Sequence, residues 1–365
     1  MSITIFLVIL SALVIVHELG HFLVAKKFGI RVDEFGLGFP PRLAKLFTWR
    51  GTPFTLNWLP FGGFVKIFGE NPVAESSSLR GESEELAKDS FQSKNRGIQA
   101  SVLIAGVVGN FLFAWSLISL GFVIGLPLPE GLSLPIENPQ TVITTVLPGS
   151  PAENAGLKSG DVILSLTRGD VDSELAPEAI YLFIGESSEP INFNVERGKE
   201  ISTKVIEPVA GIVENRPAVG ISMDVIGMVK LSPLKAIWYG LKTTFELTLL
   251  TGKAIGVLIF QAFSGRADLS SVTGPVGIVG IVGDTLELGF IHLLIFTALI
   301  SINLSIFNLL PFPALDGGRL LFVVIESITR CPISPRIFNA LNTAGFALLI
   351  LLMILITVND VRNIF

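Results

Sequence analysis

Residues 17 to 21 read His-Glu-Leu-Gly-His, directly after an apolar run of sixteen residues that carries no charge. Ionisable groups are costly in hydrocarbon, so three of them in one turn of an apolar segment are by default a functional-site hypothesis. On a helix, positions i and i+4 share one face, and His17 and His21 can both reach a single Zn2+. Glu18 points aside, where it can take a proton from water activated by the metal. The plainer alternative is a pair of polar side chains hydrogen-bonded inside a helical bundle. A metal answers the crowding better, because it gives the whole turn one common partner.

Catalytic zinc takes three protein ligands and keeps one position open. The pattern HExxHxxGxxH is not met, since Val24 and Lys27 stand where glycine and histidine would be. The only other histidine, His292, reads as a packing or interfacial residue near the start of a later apolar run. The better third ligand is Asp316, within NLLPFPALDGGRL (308–320). Pro311 and Pro313 break the helix there, while Gly317 and Gly318 allow close backbone approach.

These residues need elements that bring them to one place. Half of the 365 residues are hydrophobic and only 16% are charged. A soluble domain carries about a quarter charged residues, so the composition is that of a membrane protein. The net charge of −5 is mild, and no basic tract points to nucleic acid. One cysteine, Cys331, excludes an internal disulfide and a cysteine-rich metal site. The positive stretch of a cleavable signal peptide is missing from the start, so the first apolar run is expected to persist as a helix.

Four stretches approach the roughly 20 apolar residues that cross a bilayer: about 3–25, 98–124, 288–310 and 337–358. A fifth, about Pro233 to Phe263, intersperses Lys235, Lys242, Glu246 and Lys253 at helical spacing. It reads as amphipathic and interfacial, with a fifth span as the alternative. The loop from Lys26 to Gly97 holds eleven Lys and Arg, which makes it cytoplasmic and turns both termini outward. The first and third spans then both run from outside to inside. His21 lies about 6 Å from Ala25 at the inner end of the first, and the third delivers Asp316 to the same depth.

Within the cytoplasmic loop, FTLNWLPFGGFVKIFG (54–69) is strand-like and interrupted by Pro60, Gly62 and Gly63. It reads either as an interfacial loop or as a hairpin-like edge strand beside the site. In the second case Gly62, Gly63 and Phe64 could pair with an extended substrate. The following residues, 70–96, are rich in Ser, Glu and Lys and read as a flexible tether. Residues 127–232 look like a soluble α+β domain, with paired runs PINFNVERG and ISTKVIEP forming a hairpin around Arg197–Gly198. The stretch SPAENAGLKSGDVI resembles the PDZ family of peptide-binding domains, and there is room for one such domain.

The expected architecture is therefore a polytopic α-helical membrane protein of about four spans. It carries a membrane-associated β-hairpin-like segment and one inserted PDZ-like domain. Residues 1–126 form an N-terminal membrane part, 127–232 the inserted domain, 233–287 an amphipathic helix and linker, and 288–365 a C-terminal membrane part.

HELGH in a first apolar helix, SVTGPVGI (271–278) and NLLPFPALDGG together resemble the site-2 protease family of intramembrane zinc proteases. The likeness covers essentially the whole chain and is strongest to the bacterial regulator of sigma-E protease branch, which carries its PDZ insertion in the same place. The resemblance implies Zn2+ held by His17, His21 and Asp316, with Glu18 as catalytic base. It also implies that Asn308 contacts substrate or the developing oxyanion; on chemistry alone Asn308 is an amide that needs partners when buried. The implied activity is hydrolysis of a peptide bond inside a transmembrane segment, in a bacterial inner membrane. The implied partners are the lipid bilayer, single-span substrates already trimmed outside, and a substrate C-terminus at the PDZ-like domain.

Two departures stand out. The family pattern A-G-P-x-x-N appears here without its proline, as Ala105-Gly106-Val107-Val108-Gly109-Asn110, although both glycines still permit close helix packing. A single PDZ-like domain also replaces the tandem pair of some members. The rival function is a PDZ-bearing membrane scaffold with a non-catalytic zinc site, and the intact Glu18 argues against it.

Overall fold

The computed structural model describes residues 2–70, 88–129, 136–198, 200–213, 216–265 and 273–364. They divide into two units, one of residues 1–118, 237–284 and 294–365, the other of residues 119–236 and 285–293.

The first unit begins with α1 (Ser2–Lys27), an apolar helix whose last turn holds Lys26 and Lys27 against the negative end of its dipole. Gly29, at φ 65°, lets the chain leave, and the Ile30 amide bonds back to the Ala25 carbonyl at 2.9 Å. This is the glycine-capped ending that a left-handed residue provides. β1 (Val32–Trp49) and β2 (Thr52–Ile67) follow, joined through Arg50 and Gly51, both at positive φ. Such a two-residue turn matches the natural twist of paired strands.

The hairpin doubles back on itself. Phe35 pairs with Val65 on one side and Phe54 on the other, and Leu37 likewise with Gly63 and Leu56. Residues 42–49 pair with 52–57, which leaves 63–67 as the outer lane of a narrow sheet. An aromatic cluster seats this sheet on α1: Phe22 lies 5.6 Å from Phe35 and 5.4 Å from Phe54, which stack on each other at 4.8 Å. Contacts of this kind are worth about 0.5–1.5 kcal/mol each beyond simple burial.

Helix α2 (Arg96–Ile124) packs antiparallel to α1 through small residues. A Cβ on Gly20 would lie 2.2 Å from the Ala105 carbonyl oxygen, and one on Gly109 would lie 2.9 Å from that of Val16. Glycine is what lets two apolar backbones approach so closely. Helix α7 (Phe290–Leu309) in turn runs antiparallel to α2, because the Ser301 hydroxyl donates to the Asn110 carbonyl and the Ser305 hydroxyl to that of Val107. A tight proline-containing turn then leads into α8 (Asp316–Thr329) and α9 (Pro335–Ile364). Gly317 and Gly318 sit where a Cβ would strike the carbonyl oxygens of Leu310 and Phe312, each at 2.2 Å.

The second unit is a seven-stranded sheet with short helices. In chain order it contains β3 (Leu126–Pro129), β4 (Glu137–Val146), α3 (Pro151–Asn154), β5 (Val162–Arg168), β6 (Val171–Asp172), α4 (Pro177–Gly185), β7 (Ile191–Arg197), β8 (Glu200–Ile206), β9 (Val209–Val213), β10 (Arg216–Ala218) and β11 (Ile221–Val229). The strand order is β3-β11-β4-β5-β7-β8, with β6 on β5 and a separate β9–β10 hairpin. Ile143, Leu166, Ile180, Ile191, Phe193 and Val195 are fully buried at its core. The β7–β8 pair turns between Arg197 and Glu200, as the alternating residues suggest.

Helices α5 (Pro233–Phe263) and α6 (Pro275–Leu288) complete the chain. Five of the described helices are long and apolar enough to cross a membrane: α1, α2, α5, α7 and α9. Four of them are the expected apolar stretches. The fifth, α5, is the segment read as interfacial, and it carries an exposed Lys242–Glu246 pair along its length. Of the expected tether, 71–87 lie outside the described residues, but 88–95 are folded rather than flexible, with Phe91 buried and its amide bonded to the Phe68 carbonyl at 2.8 Å. Ser271 and Val272 of the SVTGPVGI motif also lie outside the described residues.

Candidate metal centre

Helix α1 presents His17 and His21 one turn apart, and the first turn of α8 presents Asp316. Nε2 of His17 lies 2.8 Å from Asp316 Oδ2, Nε2 of His21 lies 3.2 Å from the same oxygen, and the two Nε2 atoms are 3.1 Å apart. Among the described residues these three form a group that could hold a metal ion, with ligand atoms all within 4.8 Å of one another. Both imidazoles are buried, at 7% and 5% exposure.

The donors fit zinc. His21 Nδ1 faces the Val102 carbonyl oxygen at 2.7 Å, so that nitrogen is the protonated one and the Nε2 lone pair is free to point at the cluster. The space for a cation exists because residue 106 is glycine: a Cβ there would come within 2.3 Å of His21 Nε2 and 2.6 Å of His17 Cε1. Two imidazoles and a carboxylate leave one position open, as catalytic zinc requires.

Glu18 does not join the three. Its Oε2 accepts a 3.0 Å hydrogen bond from the Val65 amide, on the outer lane of the hairpin. The glutamate is thus aimed between the cluster and the outer lane of the narrow sheet.

Comparison with known proteins decides the family. The model of peptidase family M50 matches residues 5–352. The chain belongs to peptidase family M50. The zinc metalloprotease RasP of Geobacillus kaustophilus is 31% identical over 437 aligned positions, covering 100% of this chain and 98% of the relative. RasP of Shouchella clausii is likewise 31% identical, covering 99% and 98%. The Clostridium perfringens protein CPE1693 is 34% identical over 96% of both chains. The site-2 protease resemblance is therefore real family membership, and the protein is a zinc-dependent peptidase of the membrane-protein type.

In this M50 peptidase the remaining expected residues fall at different distances from the centre. Gly62, Gly63 and Phe64 lie where the hairpin turns into its outer lane. Gly62 is at φ 80° beside the Phe39 ring, and Gly63 packs near Val14 of α1. The Phe64 ring lies over Gly36, where any Cβ would meet it at 2.3 Å. Asn308 is half-buried in the last turn of α7, outside the His17–His21–Asp316 group. His292 bonds the Leu288 carbonyl at 3.0 Å and is not among the three.

Sequence reading did not find Asn110, Val65 and Val102 as partners of the M50 centre. The first stands in plain view in Ala105–Asn110, as a polar residue inside an apolar helix. The other two act through backbone atoms, which no side-chain pattern reveals.

Proposed function

We propose that this peptidase cleaves bonds within the transmembrane segments of single-span membrane proteins. The observation that carries this reading is the position of His17, Glu18 and His21 inside α1, a helix long and apolar enough to cross a membrane. A peptidase of soluble substrates has no need to keep its centre there.

His17, His21 and Asp316 hold the zinc. When bound, zinc supplies Lewis acidity that makes water nucleophilic near neutral pH and polarises a carbonyl. Glu18 takes the proton of the attacking water and passes it to the leaving amine. The Val65 amide keeps its carboxylate oriented through that transfer. The substrate helix must unwind before its carbonyl is accessible, and the outer lane at Gly62, Gly63 and Phe64 offers an edge on which the unwound strand can pair. Asn308 serves as a polar contact for that strand near the scissile carbonyl.

Helix direction supports four spans with α5 at the interface. Helices α1 and α7 are parallel, since each is antiparallel to α2, so an even number of crossings separates α2 from α7. If α5 crossed, α6 would have to return, and its 14 residues reach only about 21 Å against a hydrocarbon core of about 30 Å. With the basic loop inside, both termini are extracytoplasmic and the centre lies near the cytoplasmic face of a bacterial inner membrane. Residues 127–232, as a PDZ-like domain outside, admit substrates already trimmed there. They do so by binding a new C-terminus or by excluding bulky ectodomains. Trimmed anti-sigma-factor-like proteins and signal-peptide remnants are the substrates that fit.

The test is cleavage of a tagged single-span substrate by the wild type and by Glu18→Gln, with zinc content measured on both. Cleavage within the span by wild type, and none by a zinc-loaded variant, supports the reading. If both hold zinc and neither cuts any of several spans, the scaffold reading takes its place.

A further inference from the structure

Asn110 is fully buried in α2, an apolar helix where an amide needs a reason. Its Nδ2 lies 3.3 Å from Nδ1 of His17, and its Oδ1 has no hydrogen-bond partner. The two amide ends are interchangeable by a half-turn of the side chain, and the hydrogen-bond network decides between them. With the amide in this orientation Nδ2 donates to His17 Nδ1, which would leave the proton on Nε2, the nitrogen that faces Asp316. Zinc ligation needs the opposite tautomer, with the proton on Nδ1 and the lone pair on Nε2. Turning the amide gives the stranded Oδ1 a donor and presents His17 Nε2 to the cation in one step.

We infer that Asn110 is a positioning residue for the metal centre, its side-chain oxygen accepting the Nδ1 proton of His17 and so fixing ring and tautomer. It matches on His17 what the Val102 carbonyl does for His21 at 2.7 Å. The rest of α2 is organised to hold it there. Gly106 and Gly109 bring the helix against α1, and the Ser301 hydroxyl takes the Asn110 carbonyl at 2.8 Å. The inference rests on His17 being a ligand, which the zinc content of His17→Ala tests separately.

The experiment compares zinc affinity, by chelator competition, and the absorption spectrum of the cobalt-substituted form for the full-length wild type, Asn110→Asp and Asn110→Leu. Aspartate keeps the acceptor and loses the donor; leucine keeps the volume and loses both. Removing such an outer partner typically costs about 10–100-fold in metal affinity. The expected result is that Asn110→Leu loses affinity in that range with an altered cobalt spectrum, while Asn110→Asp stays within a few-fold of wild type. Wild-type affinity in Asn110→Leu overturns the inference, and so does an equal loss in both variants. Should the leucine variant fail to fold, Asn110→Asp decides alone: retained affinity supports an acceptor role, and a loss of tenfold or more overturns it. Loss of zinc from wild type on His17→Ala is the control; if affinity there is unchanged, the ligand assignment itself fails.

Discussion

The Val65 amide donates a 3.0 Å hydrogen bond to Glu18 Oε2, tying the proposed base to a strand rather than to another side chain. Because that amide is spent on Glu18, the ladder between β1 and the outer lane does not depend on it.

Val65→Pro therefore removes the donor without removing a strand pairing. Hydrogen bonds to charged groups contribute about 1.5–3 kcal/mol, so turnover should fall on the order of tenfold to a hundredfold. Zinc content should stay at the wild-type level. A drop in zinc with turnover would mean the substitution disturbs the hairpin instead of the base.

The glycines between α1 and α2 divide into two kinds. Gly106→Ala places a methyl against His21 Nε2 and His17 Cε1, at 2.3 and 2.6 Å, and should weaken zinc binding by at least about tenfold. In wild type, zinc at a hundred times its Kd adds about 2.7 kcal/mol of stability, and a tenfold loss of affinity in Gly106→Ala should cut that increment to about 1.4 kcal/mol, a larger loss cutting it further. Gly109→Ala meets the Val16 carbonyl oxygen at 2.9 Å, away from both imidazoles, and should cost about 1–3 kcal/mol of packing while reducing the zinc increment far less than Gly106→Ala does. Thermal unfolding with and without chelator separates the two cases.

Arg319, one turn after Asp316, pairs with Glu70, which follows the outer lane of the hairpin. The pair ties the helix that carries Asp316 to the sheet that orients Glu18. Breaking a largely buried pair strands one charge, so Arg319→Met should cost about 3 kcal/mol, and the double change with Glu70→Met less. Burial pushes the Glu70 carboxyl up and Arg319 draws it back, so without the arginine the acid rises further. A carboxyl raised in the folded state favours folding at low pH and loses that contribution as pH climbs through its folded value. The Arg319→Met deficit should thus be smaller near about pH 5 than near about pH 8. An equal deficit at both would show that Glu70 is not the group left unpaired.

Much of this molecule is legible as sequence because its strongest constraints are local. His17, Glu18 and His21 fall within one helical turn, and the apolar runs must become helices since a bilayer leaves few other options. Asp316 could be matched to them from its setting among Pro311, Pro313, Gly317 and Gly318 together with helix direction, although it lies almost 300 residues away. Family membership follows from the same motifs. What the tertiary structure decided are the partners that have no one-dimensional signature. The doubling of β1–β2, with Phe35 between Val65 and Phe54, depends on long-range pairing that alternation cannot specify. The Val65 amide and Val102 carbonyl act through backbone, which every residue possesses. Asn110 lies at the centre because Gly20, Gly106 and Gly109 let two backbones meet. Sequence named the candidate ligands by their chemistry; only packing could name the atoms that aim them.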